Sequence, residues 1–101
     1  MKRLSAVQQK QQTAVMAAVT QLETQAQQEL AGFVQAWFSF DFEIFPSSLL
    51  VRLQFAEASA LEAAQSQLLL WQKRLAALLV KKGILVKDLR RHLVMTCQSP
   101  D

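Results

Sequence analysis

From about Leu4 to Ala31 the chain carries neither proline nor glycine, and Val15, Val19, Leu22, Ala26 and Leu30 recur at spacings of three and four. That repeat marks one face of an α-helix, so the pattern predicts a first helix ending near Gly32. Carried backward, the same face holds Gln8, Gln11 and Gln12, and the helix is expected to pack only from about residue 13, with residues 1–12 a looser extension. The period then changes. Between Phe38 and Phe55, apolar and polar residues alternate on both sides of Pro46-Ser47-Ser48, which predicts two half-buried strands joined by a turn. Pairing Ile44 with Leu49 across that turn puts Phe42 opposite Val51, Phe40 opposite Leu53 and Phe38 opposite Phe55. The same register sets Asp41 against Arg52 on the other face, an opposite-charge cross-strand pair.

A second helix is expected from Ser59, which with Glu62 reads as a capping box, to Gly83, preceded by Lys81 and Lys82 at the negative end of the helix dipole. Leu61, Ala64, Leu68, Trp71, Leu75 and Leu78 form its main apolar stripe, and Leu69, Ala76 and Val80 a second one. In the last segment Leu89, Arg91, Leu93, Met95 and Cys97 alternate with Arg90, His92, Val94 and Thr96, and the β-branched pair favours a strand over about 89–97. Antiparallel pairing with the first strand gives the order 2-1-3; the alternative makes it a parallel neighbour of the second. The expected architecture is therefore an α+β fold, α-β-β-α-β, over residues 13–98: a three-stranded, mainly antiparallel sheet with two long helices on one face. One sheet face cannot hide both stripes of the second helix. The surplus predicts a homodimer whose interface draws on Val15, Val19, Leu22, Leu69, Ala76 and Val80.

Composition narrows the function. The chain has 101 residues, 51% of them hydrophobic, which suits one modest core. No uninterrupted apolar run exceeds six residues, so neither a signal peptide nor a membrane span is expected. With a single cysteine, Cys97, and no secretory pattern, a reducing cytoplasm is the expected compartment. Charge is uneven: residues 23–62 hold six acids against Arg52 alone, whereas Lys73, Arg74, Lys81, Lys82, Lys87, Arg90 and Arg91 face only Asp88 within 73–91. These seven are candidate anion-binding residues, suited to phosphates or acidic surfaces.

Candidate chemistry is sparse. His92 is the only histidine, with no carboxylate spaced to orient it, and reads as a surface or edge-strand residue. One His and one Cys five residues apart make no zinc site. Asp41 and Glu43 share a strand face and read as a solvated pair; Ser47-Ser48 reads as a turn; two glycines supply no phosphate-cradling loop. Trp37 and Trp71 read as structural rather than as stacking platforms. No catalytic, metal or cofactor residue is expected, and the chain reads as a non-enzyme.

The segment Phe42-Glu43-Ile44-Phe45-Pro46-Ser47-Ser48-Leu49, followed by Val51 and Leu53, resembles the L-x-L-x-P-x-x-L-G-x-V-x-V signature in the C-terminal domain of flagellar hook-length control proteins and their type III secretion relatives. The later helix from Leu61 and the turn Gly83-Ile84 are similar in outline, while Leu50 stands where that family has glycine. The resemblance implies a binding role in substrate switching of an export apparatus. Beside it stand three readings from the residues themselves: a self-associating protein-interaction module, which leads; an anion or nucleic-acid binder using the basic set; and a carrier of an apolar ligand between helices and sheet.

Overall fold

The computed structural model describes residues 5–99. Helix α1 spans Ala6–Glu29 and strand β1 Phe33–Ser39; a 3-10 turn at Phe42–Ile44 leads to β2, Leu50–Phe55. Helices α2 (Ala58–Gln65) and α3 (Leu68–Lys81), a 3-10 turn at Leu89–Arg91 and strand β3 (Leu93–Thr96) follow. The α+β class holds. The sheet is mixed, in the order β1-β2-β3, with β1 antiparallel and β3 parallel to the central β2.

Helix α1 begins with a capping box at Ser5: its hydroxyl accepts from the Gln8 backbone N–H at 3.1 Å, and the Gln8 side chain accepts from the Ser5 N–H at 3.0 Å. Residues 6–12, placed by the sequence in a loose extension, are thus the first turns of the helix; residues 1–4 lie outside the described residues. Val15, Val19, Leu22, Ala26 and Leu30 are all buried, as their spacing requires. At the other end Gly32, with φ +77°, turns the chain directly into β1.

The first strand lies five residues earlier than expected. Phe38 faces Val51, Ala36 faces Leu53 and Trp37 faces Arg52, so the whole hairpin is shifted by four residues from the Phe38–Phe55 register. A bulge between Phe33 and Gln35 leaves Val34 as the extra residue, which turns Phe33 to the core side, where its ring meets Phe55 edge-on at 6.0 Å. The alternating segment beyond β1 is a loop with its own packing. Phe40 stacks against Phe38 and meets Phe42 and Phe45 at 4.9 Å each. The loop neck is closed by Ser48, whose hydroxyl accepts from the Asp41 N–H at 2.8 Å and donates to the Asp41 carbonyl at 3.0 Å. Asp41 caps the 3-10 turn by accepting from the Glu43 N–H, so it does not pair with Arg52 as expected. Arg52 lies instead over the Trp37 ring, 4.6 Å from its centroid.

The expected second helix is two helices. Ser66 donates from its hydroxyl back to the Ala63 carbonyl at 3.2 Å, and the helix breaks at Ser66-Gln67. Its N-terminus is at Ala58 with Glu57 in the cap position, so Ser59 makes no capping box. The main stripe nevertheless holds: Ala64, Trp71, Leu75 and Leu78 are buried and Leu61 and Leu68 pack against the core. The crossover through α2 and α3 returns the chain to β2's free edge, which gives the parallel β2–β3 pair and corrects the 2-1-3 order. Both outer edges of the sheet are met by helix side chains. Glu23 of α1 accepts from the Ala36 N–H at 2.8 Å on the β1 edge, and the buried Gln72 of α3 donates to the Leu93 carbonyl at 3.1 Å beside β3.

Candidate functional site

Helix α3 stops in a Schellman motif. Gly83, with φ +82°, lets its N–H reach the Val80 carbonyl and the Ile84 N–H reach the Leu79 carbonyl, both at 2.9 Å. Ile84 is thereby drawn into the core, and the next residue, Leu85, is thrown outward to 72% exposure. This turn forms one wall of a cleft of about 710 Å³. The opposite wall is the start of α1, through Val7, Lys10 and Ala14, and the base is Phe45-Pro46 of the β1–β2 loop, a cis peptide. Pro46 and Leu85 also border a smaller groove of about 150 Å³, which Lys87, Arg91 and the buried His92 complete.

The charge here is one-sided. Lys10 and Lys82 line the cleft and Lys87 and Arg91 the groove, and among the described residues none of the four forms an ion pair. The acid beside them, Asp88, is engaged: the backbone and side chain of Arg90 donate to it and hold its carboxyl below the ordinary carboxylate range. The apolar content is as concentrated. Among the described residues the three most exposed large apolar side chains are Leu85, Val7 and Ile44, two of them lining the cleft and the third adjoining Phe45.

The seven expected anion-binding residues divide. Lys82, Lys87 and Arg91 border the cleft and groove; Lys81 is exposed at the α3 terminus and Lys73 is exposed midway along it. Arg90 is tied to Asp88. Arg74 is removed from the set, because it clamps α3 to α1: its guanidinium lies over the Trp71 ring at 4.6 Å and donates to Glu29 at 2.7 Å and to Gln25 at 3.5 Å. That bond holds the Glu29 carboxyl below its ordinary value. Of the expected self-interface, Val15, Val19 and Leu22 lie inside the core of the chain, so their spacing records the packed face of α1 and offers nothing to a second copy. Leu69 and Val80 are about half exposed and Ala76 is half-buried.

His92 is buried rather than on the surface. Its Nδ1 lies 2.9 Å from the Leu49 carbonyl, which can only accept, so Nδ1 carries the proton and the ring pins the start of β3 to the base of the loop. Cys97 is exposed, and among the described residues no group of three or more His, Cys, Asp or Glu side chains is arranged to hold a metal. Trp71 and Trp37 have structural surroundings, each ring lying under an arginine, and neither indole N–H has a hydrogen-bond acceptor among the described residues. No helix among the described residues is long and apolar enough to cross a membrane.

Sequence reasoning found the basic residues of this end but missed Lys10 and the apolar surface they frame. The missed signal is the run Ile84-Leu85-Val86, flanked by Lys82 and Lys87, which satisfies neither a helical nor a strand period on either side of the turn. No protein-family model, curated protein or solved structure matches the chain.

Proposed function

We propose that the chain is a non-enzymatic binding module that engages an anionic partner at the cleft between the start of α1, the Phe45-Pro46 loop and the α3–β3 connection. One observation carries this reading: Lys10 and Lys82, neither with an ion-pair partner among the described residues, and the two most exposed large apolar side chains, Val7 and Leu85, line one cleft, and Lys87 and Arg91 stand in the groove that adjoins it. An excess of cations around a concave apolar surface raises the local concentration of an anionic ligand and steers its encounter.

The test is retention of the whole chain on immobilised heparin. Binding should be released by salt, and Lys82→Glu with Lys87→Glu should abolish it, whereas Lys73→Glu, outside the cleft, should leave most of it. Equal losses from both variants, or no retention at low salt, would remove the basis for the reading. Self-association is a second reading, favoured by the half-exposed Leu69 and Val80 along α3. It predicts a dimer by light scattering that Leu69→Lys with Val80→Lys dissociates.

A further inference from the structure

We infer that the occupant of the cleft is an acidic, amphipathic segment of a partner protein, in which large apolar side chains are flanked by carboxylates. The inference rests on the anionic-partner reading above and narrows it. A cleft for a simple anion needs donors, and this one has mostly carbon: Val7 and Ala14 on one side, Ile84 and Leu85 on the other, Phe45 and Pro46 between. Lys10 and Lys82 line the same cleft as exposed residues and carry their charge at the end of long, flexible stems, while Lys87 and Arg91 stand in the adjoining groove. That distribution matches a ligand whose centre is apolar and whose margins are negative, and a concave seat receives a side chain as a knob.

Other anionic surfaces fit less well. Single-stranded nucleic acid binds through rings exposed for stacking. Phe45 is the sole aromatic lining the cleft, and it is half-buried against Phe40 at 4.9 Å. An anionic bilayer presents a plane, and the exposed Asp41 and Glu43 sit in the same loop as Ile44, where a plane of like charge would meet them. A peptide makes local contacts and avoids both acids. A compact small-molecule anion would call for buried polar groups aimed inward, whereas the polar side chains that line the cleft, Lys10, Gln11 and Lys82, are exposed or half-buried.

The experiment measures binding of four fluorescent probes to the intact chain at one salt concentration. They are a short peptide of glutamates interspersed with leucine and phenylalanine, the same peptide with serine at the apolar positions, oligo-dT, and vesicles of phosphatidylserine and phosphatidylcholine. The apolar acidic peptide is expected to bind at least about tenfold tighter than its serine counterpart, since one buried leucine or phenylalanine is worth that much. Val7→Ser with Leu85→Ser should erase the difference. Both positions are strongly exposed, at 65% and 72%, so the variant keeps its core, which circular dichroism checks. Equal binding of the two peptides, or preferential binding of oligo-dT or of the vesicles, overturns the inference while the anionic-partner reading survives. Binding of none of the four probes overturns both.

Discussion

Replacing either glycine by alanine separates backbone strain from packing, because the two sites share one and differ in the other. Gly32 and Gly83 both adopt positive φ, +77° and +82°, where an added Cβ costs about 1–2 kcal/mol. At Gly83 a Cβ meets nothing within 4 Å, so Gly83→Ala should cost that strain alone. At Gly32 the Cβ falls 2.5 Å from the Cβ of Ala60, about 1 Å inside a comfortable carbon contact, and Ala60 has no flexible end to move aside. Relief requires α2 to shift against the α1–β1 turn, where the Gly32 carbonyl also accepts from the Ala56 N–H at 2.9 Å. Overpacking of this kind adds about 1–3 kcal/mol, so Gly32→Ala should cost about 2–5 kcal/mol in all. The two variants should therefore differ by roughly 5–20 °C in Tm. Urea unfolding at fixed pH measures the free energies, and the double variant Gly32→Ala/Ala60→Gly should recover the packing part at a helix-propensity cost of about 1 kcal/mol. Equal destabilisation by Gly32→Ala and Gly83→Ala, with no coupling to Ala60, would refute the close approach of the turn and α2.

His92→Phe keeps an aromatic ring but leaves the Leu49 carbonyl without its donor, so urea unfolding should register a loss of about 1–3 kcal/mol. The Glu29–Arg74 pair should make stability depend on acid pH: the folded carboxyl titrates below its ordinary 4.5, so its contribution is complete above that value and disappears as pH falls through the lowered one. The urea midpoint of the wild type should accordingly fall more steeply than that of Glu29→Gln below about pH 5, and added salt should shrink the difference because the pair is exposed. Glu23→Ala removes the acceptor from the Ala36 N–H and exposes the β1 edge, and should produce concentration-dependent association by light scattering; Glu23→Gln, which keeps an acceptor oxygen, should remain closer to wild type.

What the sequence disclosed was local periodicity. The stripe from Val15 to Leu30 and the alternation of Leu49, Val51, Leu53 and Phe55 both mark buried faces, because each face is fixed by geometry within one element. Register was not disclosed. Sliding the hairpin by four residues leaves every side chain on the same face, so alternation serves the Phe38–Val51 and Phe38–Phe55 pairings equally well. The aromatic run from Phe40 to Phe45 fits a strand and a loop folded on its own rings alike. His92 escaped because it precedes β3 with ψ −6°, off the extended backbone, so the strand's alternation does not govern its side chain. Lys82 and the groove's Lys87 and Arg91 were visible as a cluster, but Lys10 and the apolar bed of the cleft come from separate segments that only the topology brings together.

The hydrogen bond between His92 and Leu49 joins residues 43 positions apart, whereas the Ser48–Asp41 bonds at the loop neck join residues seven apart. Closing the longer span costs roughly 1.5 kcal/mol more chain entropy, so the β2–β3 pairing is the costlier of the two to close. Without β3 the central strand would have one neighbour and one bare edge, and the backbone groups of Val51 to Gln54 would be open to any other strand nearby. The four residues of β3 are what close that edge.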